Sequence, residues 1–456
     1  MQTSNLSRRQ LLLAAGIAIG GNHAPRVWAQ AAPAGTRQQG QGRLVVVLLR
    51  GAYDGLSAFV PYADADYYSA RPNIAIAAPD GSAQTALKLD NSFALHPALS
   101  PLLPPWQQGV LSFVPSAGLP APNRSHFAAQ YEMEIAQSGK TSAAPGWLNK
   151  LAGNNSAGNS AATSALGVGE ANPAILAGDA IVKLIPRGQS AERTGVLAND
   201  KTRQVLMDLY AGNDKVSEAF RQGAGSRMQS AQELSTEKVA ADGRRDMASR
   251  EAARQDGQRM LDRDGTPPTT QAQNAQMQAA SNGASDPVGL QLDAQHLGTL
   301  MRNDRGLRIG FLSAGGWDTH ANQGNATGQL ANNLGNLGRA IVQLRQDFSE
   351  SRDVVVVMSE FGRTAHENGS RGTDHGFGNA LWLVGNRING GRWHGQWTGL
   401  ARGNLNEARD LPAHHDYRAV LAQVLRATFA MPDSALAAVL PGARWDSRLD
   451  GLMRRV

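Results

Sequence analysis

Two continuous apolar runs, each leading into a loop rich in polar residues, constrain the fold of this chain most. The first is RLVVVLLRGAYDG at 43–55, and the second is DVVVVMSEFGRT at 353–364. An unbroken run of this length is typical of a strand that is buried on both faces, as in the interior of a parallel sheet. We therefore expect both runs to lie inside a sheet and their polar loops to lie at its edge.

Further segments alternate between strand and helix patterns. Strands are predicted at 110–120, 307–314 and 379–385, and helices with apolar residues at helical spacing are predicted at 328–348 and 416–429. Strands that alternate with helices in this way indicate an α/β fold with a doubly wound, mostly parallel sheet. The domain is expected to span residues 43–456.

The chain changes character from about 150 to 305. Residues 197–262 have a helical pattern rich in Arg, Gln, Asp and Ala, with few large apolar side chains, and 264–287 reads as a loop. Since so few apolar residues would give a separate domain only a thin core, we interpret 150–305 as a helical cap inserted into the main domain.

The N-terminus predicts export. Arg8 and Arg9 precede a short apolar stretch, and Val27-Trp28-Ala29 resembles a signal cleavage site, so residues 1–29 read as a signal peptide of the twin-arginine type. An ordinary secretory signal is the alternative. Residues 30–42 are expected to be a disordered linker. The mature protein is then periplasmic or secreted, with the twin-arginine export machinery as a partner and no membrane span.

Composition narrows the chemistry. The chain has no cysteine, so any metal must be held by carboxylates, imidazoles or hydroxyls. The net charge of +6 is spread along the chain without a Lys/Arg block, which argues against nucleic acid as a partner.

Polar residues capable of binding metal follow the predicted strands. Because ligands of an open α/β sheet bind beyond the carboxyl ends of its strands, residues from several loops are expected to meet at one edge. The predicted metal ligands are Asp54, Asp318, His320, Glu360, Asp374 and His375. Carboxylates and imidazoles suit divalent ions such as Zn²⁺, Mg²⁺, Mn²⁺ or Ca²⁺, and two such ions can hold both oxygens of an ester displacement.

A hydroxyl and cationic groups accompany these ligands. Ser125 lies at the start of a predicted helix at 123–139, where metal and helix terminus would favour its attack on an anionic ester. Arg124 beside it can bind phosphate or sulfate oxygens. Arg363 and His126 are further candidates for binding substrate. The simpler alternatives are a turn at Asp54, a helix cap at Ser125 and a structural ion pair between Glu360 and Arg363.

Several motifs carry a family resemblance. LVVVLLRGAYDGLSAFVPY, LHPALSPL, RSHFAAQ, GGWDTH, SEFGRT and GTDHGFGNALWLVG resemble the exported family known as domain of unknown function 1501, across residues 43–430. That family is similar to the alkaline phosphatase and sulfatase superfamily. The resemblance implies an alkaline phosphatase-like sheet, a two-metal site and a Ser, Thr or modified Cys nucleophile that hydrolyses phosphate or sulfate esters.

The resemblance matches Asp54 to a metal carboxylate, Ser125 to the nucleophile, and Asp318 with His320 to a metal-binding pair. The pair of the alkaline phosphatase and sulfatase superfamily is usually spaced Asp-x-x-x-His, whereas this chain has Asp-Thr-His. The loop at 360–375 admits two registers, in which either Glu360 or Asp374 is the ligand. The second register makes His414 or His415 the last metal ligand, and both keep His375 on a metal.

The leading hypothesis is a metal-dependent hydrolase of phosphate mono- or diesters, which can be small molecules or polymer-linked. One alternative is a sulfatase-like hydrolase of sulfate esters, although the residues after Ser125 lack the motif for a formylglycine nucleophile. Another is a non-catalytic, metal-stabilised binding or assembly protein of the same fold.

Overall fold

The structure is a computed structural model that describes residues 26–27, 42–139, 143–155, 163–245 and 271–454. Most of the predicted signal peptide at 1–29 and of the linker at 30–42 lies outside these residues. Their roles therefore stay predictions.

Eight strands form one mixed, mostly parallel sheet, which confirms the predicted α/β class. Its order is β4-β3-β5-β1-β6-β7-β2-β8, and only β7 runs antiparallel to its neighbours. Arg26–Val27 pairs with β4 at one edge. The strands are Leu44–Leu49 (β1), Leu111–Gly118 (β2), Ala165–Val168 (β3), Ile181–Ile185 (β4), Ile309–Ala314 (β5), Val354–Ser359 (β6), Asn379–Val384 (β7) and His415–Asp416 (β8).

Helices and a small second sheet complete the described part of the chain. The second sheet pairs Ala94–Leu95 with both Phe59–Val60 and Leu87–Lys88. The α-helices are Gly55–Ala58 (α1), Ala65–Ala70 (α2), Leu103–Gln107 (α3), His126–Ile135 (α4), Trp147–Asn155 (α5), Asp200–Leu209 (α6), Lys215–Arg245 (α7), Gln271–Ala280 (α8), Leu290–Asn303 (α9), Gln329–Asp347 (α10), Tyr417–Phe429 (α11) and Asp433–Val439 (α12). Short 3₁₀ helices lie at Pro97–Leu102, Ala174–Leu176, Gly188–Ser190, Gly195–Ala198, Arg402–Asn404 and Ser447–Leu449.

The central strands are buried on both faces. Alternate side chains of β1 pack against α4, α5 and α11 on one face and against α9 and α10 on the other. A sheet covered on both faces excludes water from its ladder, which is why these strands are unbroken apolar runs. Each described helix is too short or too polar to cross a membrane.

The register of the central strands brings their loops to one level. Leu49, the last residue of β1, pairs with Ser359 at the end of β6 and with Ala314 at the end of β5. The loops after these three strands therefore leave the sheet side by side. Because β7 is antiparallel, the segment that precedes Asn379 reaches the same edge.

The inserted helical cap predicted at about 150–305 is not confirmed. β3 and β4 belong to the main sheet, and α9 packs on it against α10. The segment therefore supplies part of the central layers as well as the helices α6, α7 and α8.

One buried histidine outside the strands predicts a pH effect on stability. The Nε2–H of His96 donates to the carbonyl of Asn325 (2.8 Å), and its Nδ1 accepts from the Ala98 N–H (3.0 Å), so the ring is neutral when folded. Burial lowers the pKa of His96 to about 4. The unfolded chain, with a pKa near 6.5, binds the proton first, so stability falls as the pH drops from about 6.5 towards 4.

We expect His96 to account for a loss of up to about 3 kcal/mol over this range. His96→Asn keeps an acceptor for the Ala98 N–H but cannot titrate. Urea unfolding from pH 7 to pH 4 measures the difference, and the variant should show the shallower decline. Parallel pH dependences for the two proteins would contradict the prediction.

Candidate metal centre

Loops at one edge of the sheet carry a group of imidazoles and carboxylates. His126 begins α4 after β2, and Asp318 with His320 follow β5. Glu360 follows β6 directly, and His375 precedes the antiparallel β7. Residues far apart in the sequence therefore meet where the strand ends align.

Three imidazole nitrogens converge on one carboxylate oxygen. Asp318 Oδ1 lies 3.3 Å from His126 Nε2, 2.9 Å from His320 Nε2 and 3.2 Å from His375 Nε2. His375 Nε2 is also 2.9 Å from the Nε2 atoms of the other two rings. Ligands of a tetrahedral zinc ion are about 3.3 Å apart, given metal–ligand distances near 2.0 Å. The ligand atoms of His126, Asp318 and His375 all lie within 4.8 Å of one another, a spacing that fits three ligands of one ion. His320 Nε2 lies beside two of them, Asp318 Oδ1 and His375 Nε2.

The far side of each ring is fixed by an acceptor. The Nδ1 atom lies 2.8 Å from Glu360 Oε1 in His126, 3.0 Å from Asp374 Oδ1 in His320 and 2.9 Å from the Arg124 carbonyl oxygen in His375. An N–H at Nδ1 leaves each Nε2 with a lone pair aimed at the shared point. Metal-binding histidines usually have such a partner, because it sets both the tautomer and the ring orientation.

Glu360 is itself held on several sides. Its Oε1 accepts from the Gly51 N–H (2.8 Å) and from Gln130 Nε2 (2.9 Å), and its Oε2 accepts from the Ser359 hydroxyl (2.9 Å). Burial alone would raise the pKa of Glu360, but its contacts with His126 and Gln130 outweigh burial and lower it. Glu360 is therefore a fixed carboxylate that orients His126.

Arg363 is the buried counter-ion of Asp318. Its Nη2 donates to Asp318 Oδ1 at 2.6 Å. Burial alone would raise the pKa of Asp318, but contacts with the three imidazoles and the charge of Arg363 lower it. Asp318 Oδ2 is buried and has no hydrogen-bond partner in the described part of the chain, so it remains able to bind a cation. The other N–H groups of Arg363 donate to the carbonyls of Gly51, Ala52, Trp317 and Thr373.

The protein groups of this centre favour a positive charge. Asp318 forms an ion pair with Arg363, whereas Glu360 and Asp374 contact the imidazoles of His126 and His320. Burial lowers the pKa of His126, but its contacts with Asp318 and Glu360 outweigh burial and raise it to about 9. A bound divalent cation would supply the same positive charge as a protonated His126, because buried carboxylates are stable only when neutralised. Charge and geometry thus make this group a candidate metal site.

The centre is open on one side. The side chains of His320 and His375 are 25% and 21% exposed, whereas Asp318 is fully buried. A small pocket beside His320 is bounded by residues 318–321 and by helix residues Gln273, Gln276, Met277 and Gln329. Solvent can therefore reach these two imidazoles.

Comparison with known proteins places the chain in a family. The family model described as "Protein of unknown function (DUF1501)" matches residues 41–440. The chain belongs to the DUF1501 family. None of the curated proteins compared with it matches. Among solved structures, a mutant of TAB5 alkaline phosphatase with bound Mg is similar at 11% identity, covering 86% of this chain and 99% of that one, with a TM-score of 0.33.

Asp54 lies outside the candidate metal centre of this DUF1501 protein. Its Oδ2 accepts from Arg71 (2.6 Å), Ser57 and Gln323 (2.7 Å each), and its Oδ1 accepts from Arg71 (3.1 Å). Asp54 and Arg71 are both fully buried. The geometry therefore does not support Asp54 as a metal ligand, because a guanidinium already neutralises it.

Two other predicted ligands lie behind the imidazoles. Glu360 and Asp374 contact the Nδ1 atoms of His126 and His320, so they orient ligands instead of sharing the convergence point. His126, predicted to bind substrate, lies at that point with Asp318, His320 and His375. The described residues thus bring together ligands for one metal ion, whereas the sequence predicted two metal ions. The rival His415 lies elsewhere, bonded to Asp446 and Gln396.

The residues that were predicted to bind or attack the substrate differ from one another in burial and in hydrogen-bond partners. Arg363 is fully buried with its donors engaged, so it cannot reach a substrate. Arg124 is half-buried, and its Nη2 contacts Glu407 (2.9 Å) and Asp410 (3.1 Å). Ser125 is exposed and makes no capping hydrogen bond with its side chain. Its neighbours on both sides contact the centre, Arg124 through its carbonyl oxygen at His375 Nδ1 and His126 through its own ring.

The sequence did not reveal His126 as a candidate metal ligand, because it lies next to the candidate nucleophile Ser125. A useful signal was available in His126-Phe127-Ala128-Ala129-Gln130, where two polar side chains are spaced by four residues. Residues at this spacing lie on the same face of a helix. Both are buried here, and both contact Glu360.

Proposed function

We propose that this protein is an exported, metal-dependent hydrolase of phosphate mono- or diesters that uses one divalent ion. His126, His320, His375 and Asp318 hold the ion in this proposal. The convergence of three imidazole nitrogens on one carboxylate oxygen, each ring fixed from behind, is the observation that carries it. The signal peptide predicted at residues 1–29 supports the proposal that the protein acts outside the cytoplasm.

The ligand set suits zinc among the candidate ions. Three imidazoles and a carboxylate, without thiolate, match zinc better than magnesium or calcium, which prefer oxygen ligands. A zinc ion bound here would polarise a phosphoryl oxygen and neutralise charge that develops on it. The partner-free Asp318 Oδ2 and the exposed edges of His320 and His375 support this assignment.

Ser125 is the proposed nucleophile. Its hydroxyl oxygen forms the bond to phosphorus and loses its proton, while the ester oxygen leaves with the bonding electrons and takes up a proton. Water then cleaves the bond between phosphorus and the Ser125 oxygen, which releases phosphate and restores the hydroxyl. Ser125 precedes a ten-residue helix, α4, whose first N–H groups favour an anion at this end. Glu360 and Asp374 keep His126 and His320 in place during this step, and Arg363 holds Asp318.

A non-catalytic role is the second candidate. Four protein ligands around one ion are typical of closed structural zinc sites, whereas catalytic zinc usually has three and an open position. In this alternative the metal ties together the loops of the sheet edge.

Sulfate esters use the same chemistry as phosphate esters, and the same assays test them.

We expect Ser125→Ala to lower the hydrolysis of an aryl phosphate or bis-aryl phosphate by at least ~10²-fold, because the attacking oxygen is removed. Zinc affinity should stay unchanged, since Ser125 lies outside the ligand set. Turnover is measured with Zn²⁺, Mg²⁺ or Mn²⁺ added, and aryl sulfate is tested in parallel.

Ser434→Ala is the matched control, because Ser434 is also exposed in the first turn of a helix. The control should retain full activity. Full activity in Ser125→Ala would exclude Ser125 as the nucleophile. A wild-type protein that binds zinc but is inactive on all three substrates would favour the structural role.

A further inference from the structure

Gln130 lies one helical turn after His126 on the inner face of α4. Its side chain is fully buried, although glutamine is usually exposed. Gln130 is itself outside the set of atoms that converge on Asp318. A buried amide at this position requires a partner for each of its polar atoms.

Each polar atom of Gln130 has such a partner. Its Oε1 accepts from Arg50 Nη1 (2.9 Å). Its Nε2 donates to Glu360 Oε1 (2.9 Å) and to the carbonyl of Ala280 (2.8 Å). The amide orientation is fixed, because Arg50 can only donate and the other two groups can only accept.

Arg50 anchors this amide from the other side. It is 1% exposed and forms ion pairs with Glu134 and Glu170, both at 2.7 Å. Glu134 lies on α4 one turn after Gln130. Hydrogen bonds therefore run without a gap from Glu170 and Glu134 through Arg50, Gln130 and Glu360 to the imidazole of His126.

We propose that Gln130 is a positioning residue for the metal ligand His126, acting through Glu360. Glu360 Oε1 accepts from both Gln130 Nε2 and His126 Nδ1, so the donation from Gln130 fixes the oxygen that sets the direction of the ring. The role needs an amide, since a carboxylate at this position would repel Glu360 and the Ala280 carbonyl. This inference rests on the proposed metal site.

The same amide connects the metal centre to the wall of the pocket. Ala280 is the last residue of α8, and Gln276 and Met277 of that helix bound the pocket beside His320. One N–H of Gln130 thus holds the end of α8, while the other holds Glu360. The position of the pocket wall and the direction of His126 are set by one side chain.

Zinc binding to Gln130→Glu and Gln130→Met tests the proposal. Removing partners that orient metal ligands typically costs 10–100-fold in metal affinity, and we expect about 10-fold for Gln130→Glu. Gln130→Met loses the hydrogen bonds without adding a charge, so a smaller loss in the same direction is expected. Isothermal titration with Zn²⁺ gives the affinity, and the visible spectrum with Co²⁺ reports the ligand geometry.

Gln423→Glu is the matched control. Gln423 is also buried and donates to a carboxylate, Asp450 at 3.3 Å, outside the metal centre. The control should retain the wild-type zinc affinity and Co²⁺ spectrum. A melting temperature without metal separates loss of fold from loss of ligand position.

The outcomes are distinct. Folded Gln130 variants that bind zinc as tightly as wild type, with the same Co²⁺ spectrum, overturn the role of Gln130 and leave the metal site intact. An equal loss in Gln423→Glu also overturns it, because the effect would then be general destabilisation. If Gln130→Glu does not fold, Gln130→Met decides by the same criteria. Wild-type protein that binds no metal refutes the proposed function itself.

Discussion

Replacing His375 by glutamine is expected to lower the affinity for Zn²⁺ by more than ~10²-fold, beyond the loss caused by removing an orienting partner. His375 Nε2 is 2.9 Å from the Nε2 atoms of both His126 and His320, so it lies at the centre of the ligand group. Hydrolysis of the aryl phosphate should fall below detection together with the bound metal. His375 is partly exposed, so the substitution leaves no buried charge behind.

Metal content is measured by elemental analysis of protein purified without chelators, and affinity by titration with Zn²⁺. His394→Gln is the matched control, since His394 is also partly buried and its ring contacts the Asn389 carbonyl, outside the metal centre. The control should bind one zinc ion per chain. If His375→Gln retains the metal at wild-type affinity, the convergence of imidazoles is not a metal site.

Replacing Asp54 by asparagine is expected to destabilise the protein by about 3–5 kcal/mol without affecting zinc binding. The substitution leaves the guanidinium of Arg71 buried without its counter-ion. Burial alone would lower the pKa of Arg71, but Asp54 outweighs burial and raises it, so the pair folds in its charged form. An uncompensated charge in this position is far more costly than the loss of one hydrogen bond.

Urea unfolding of the metal-free protein measures the stability, and zinc titration measures the affinity. Asp54→Asn combined with Arg71→Met removes both charges and should recover part of the stability, because the buried charge is then gone. If Asp54→Asn loses zinc while its stability is unchanged, Asp54 is a metal ligand and its ion pair with Arg71 contributes little to stability.

The sheet could be predicted from the sequence because its central strands are unbroken apolar runs. Residues 43–55 and 353–364 gave β1 and β6, and the polar loop after each run was expected at the same edge. β3 could not be recognised as part of the sheet, since its four residues lie in a stretch of small side chains. That omission made the segment at 150–305 look like a cap.

The candidate site was predictable as a group of residues but not as a set of roles. Sequence spacing cannot show which side of an imidazole faces a carboxylate, so Glu360 and Asp374 could not be told apart from direct ligands. Asp54 was misplaced for another reason: its partner Arg71 follows a short helix, and no pattern connects the two. These contacts depend on packing between loops, which a single sequence does not encode locally.

The span between the ligands has a consequence for the order of assembly. His126 and His375 are 249 positions apart, and the strands that carry their loops must pair before the two rings can meet. Unfolded chain cannot offer this set of atoms, so the affinity for the ion exists only once the sheet is complete. On the proposed function, ion uptake is then a late step of maturation, and binding of the ion shifts the folding equilibrium towards the folded state.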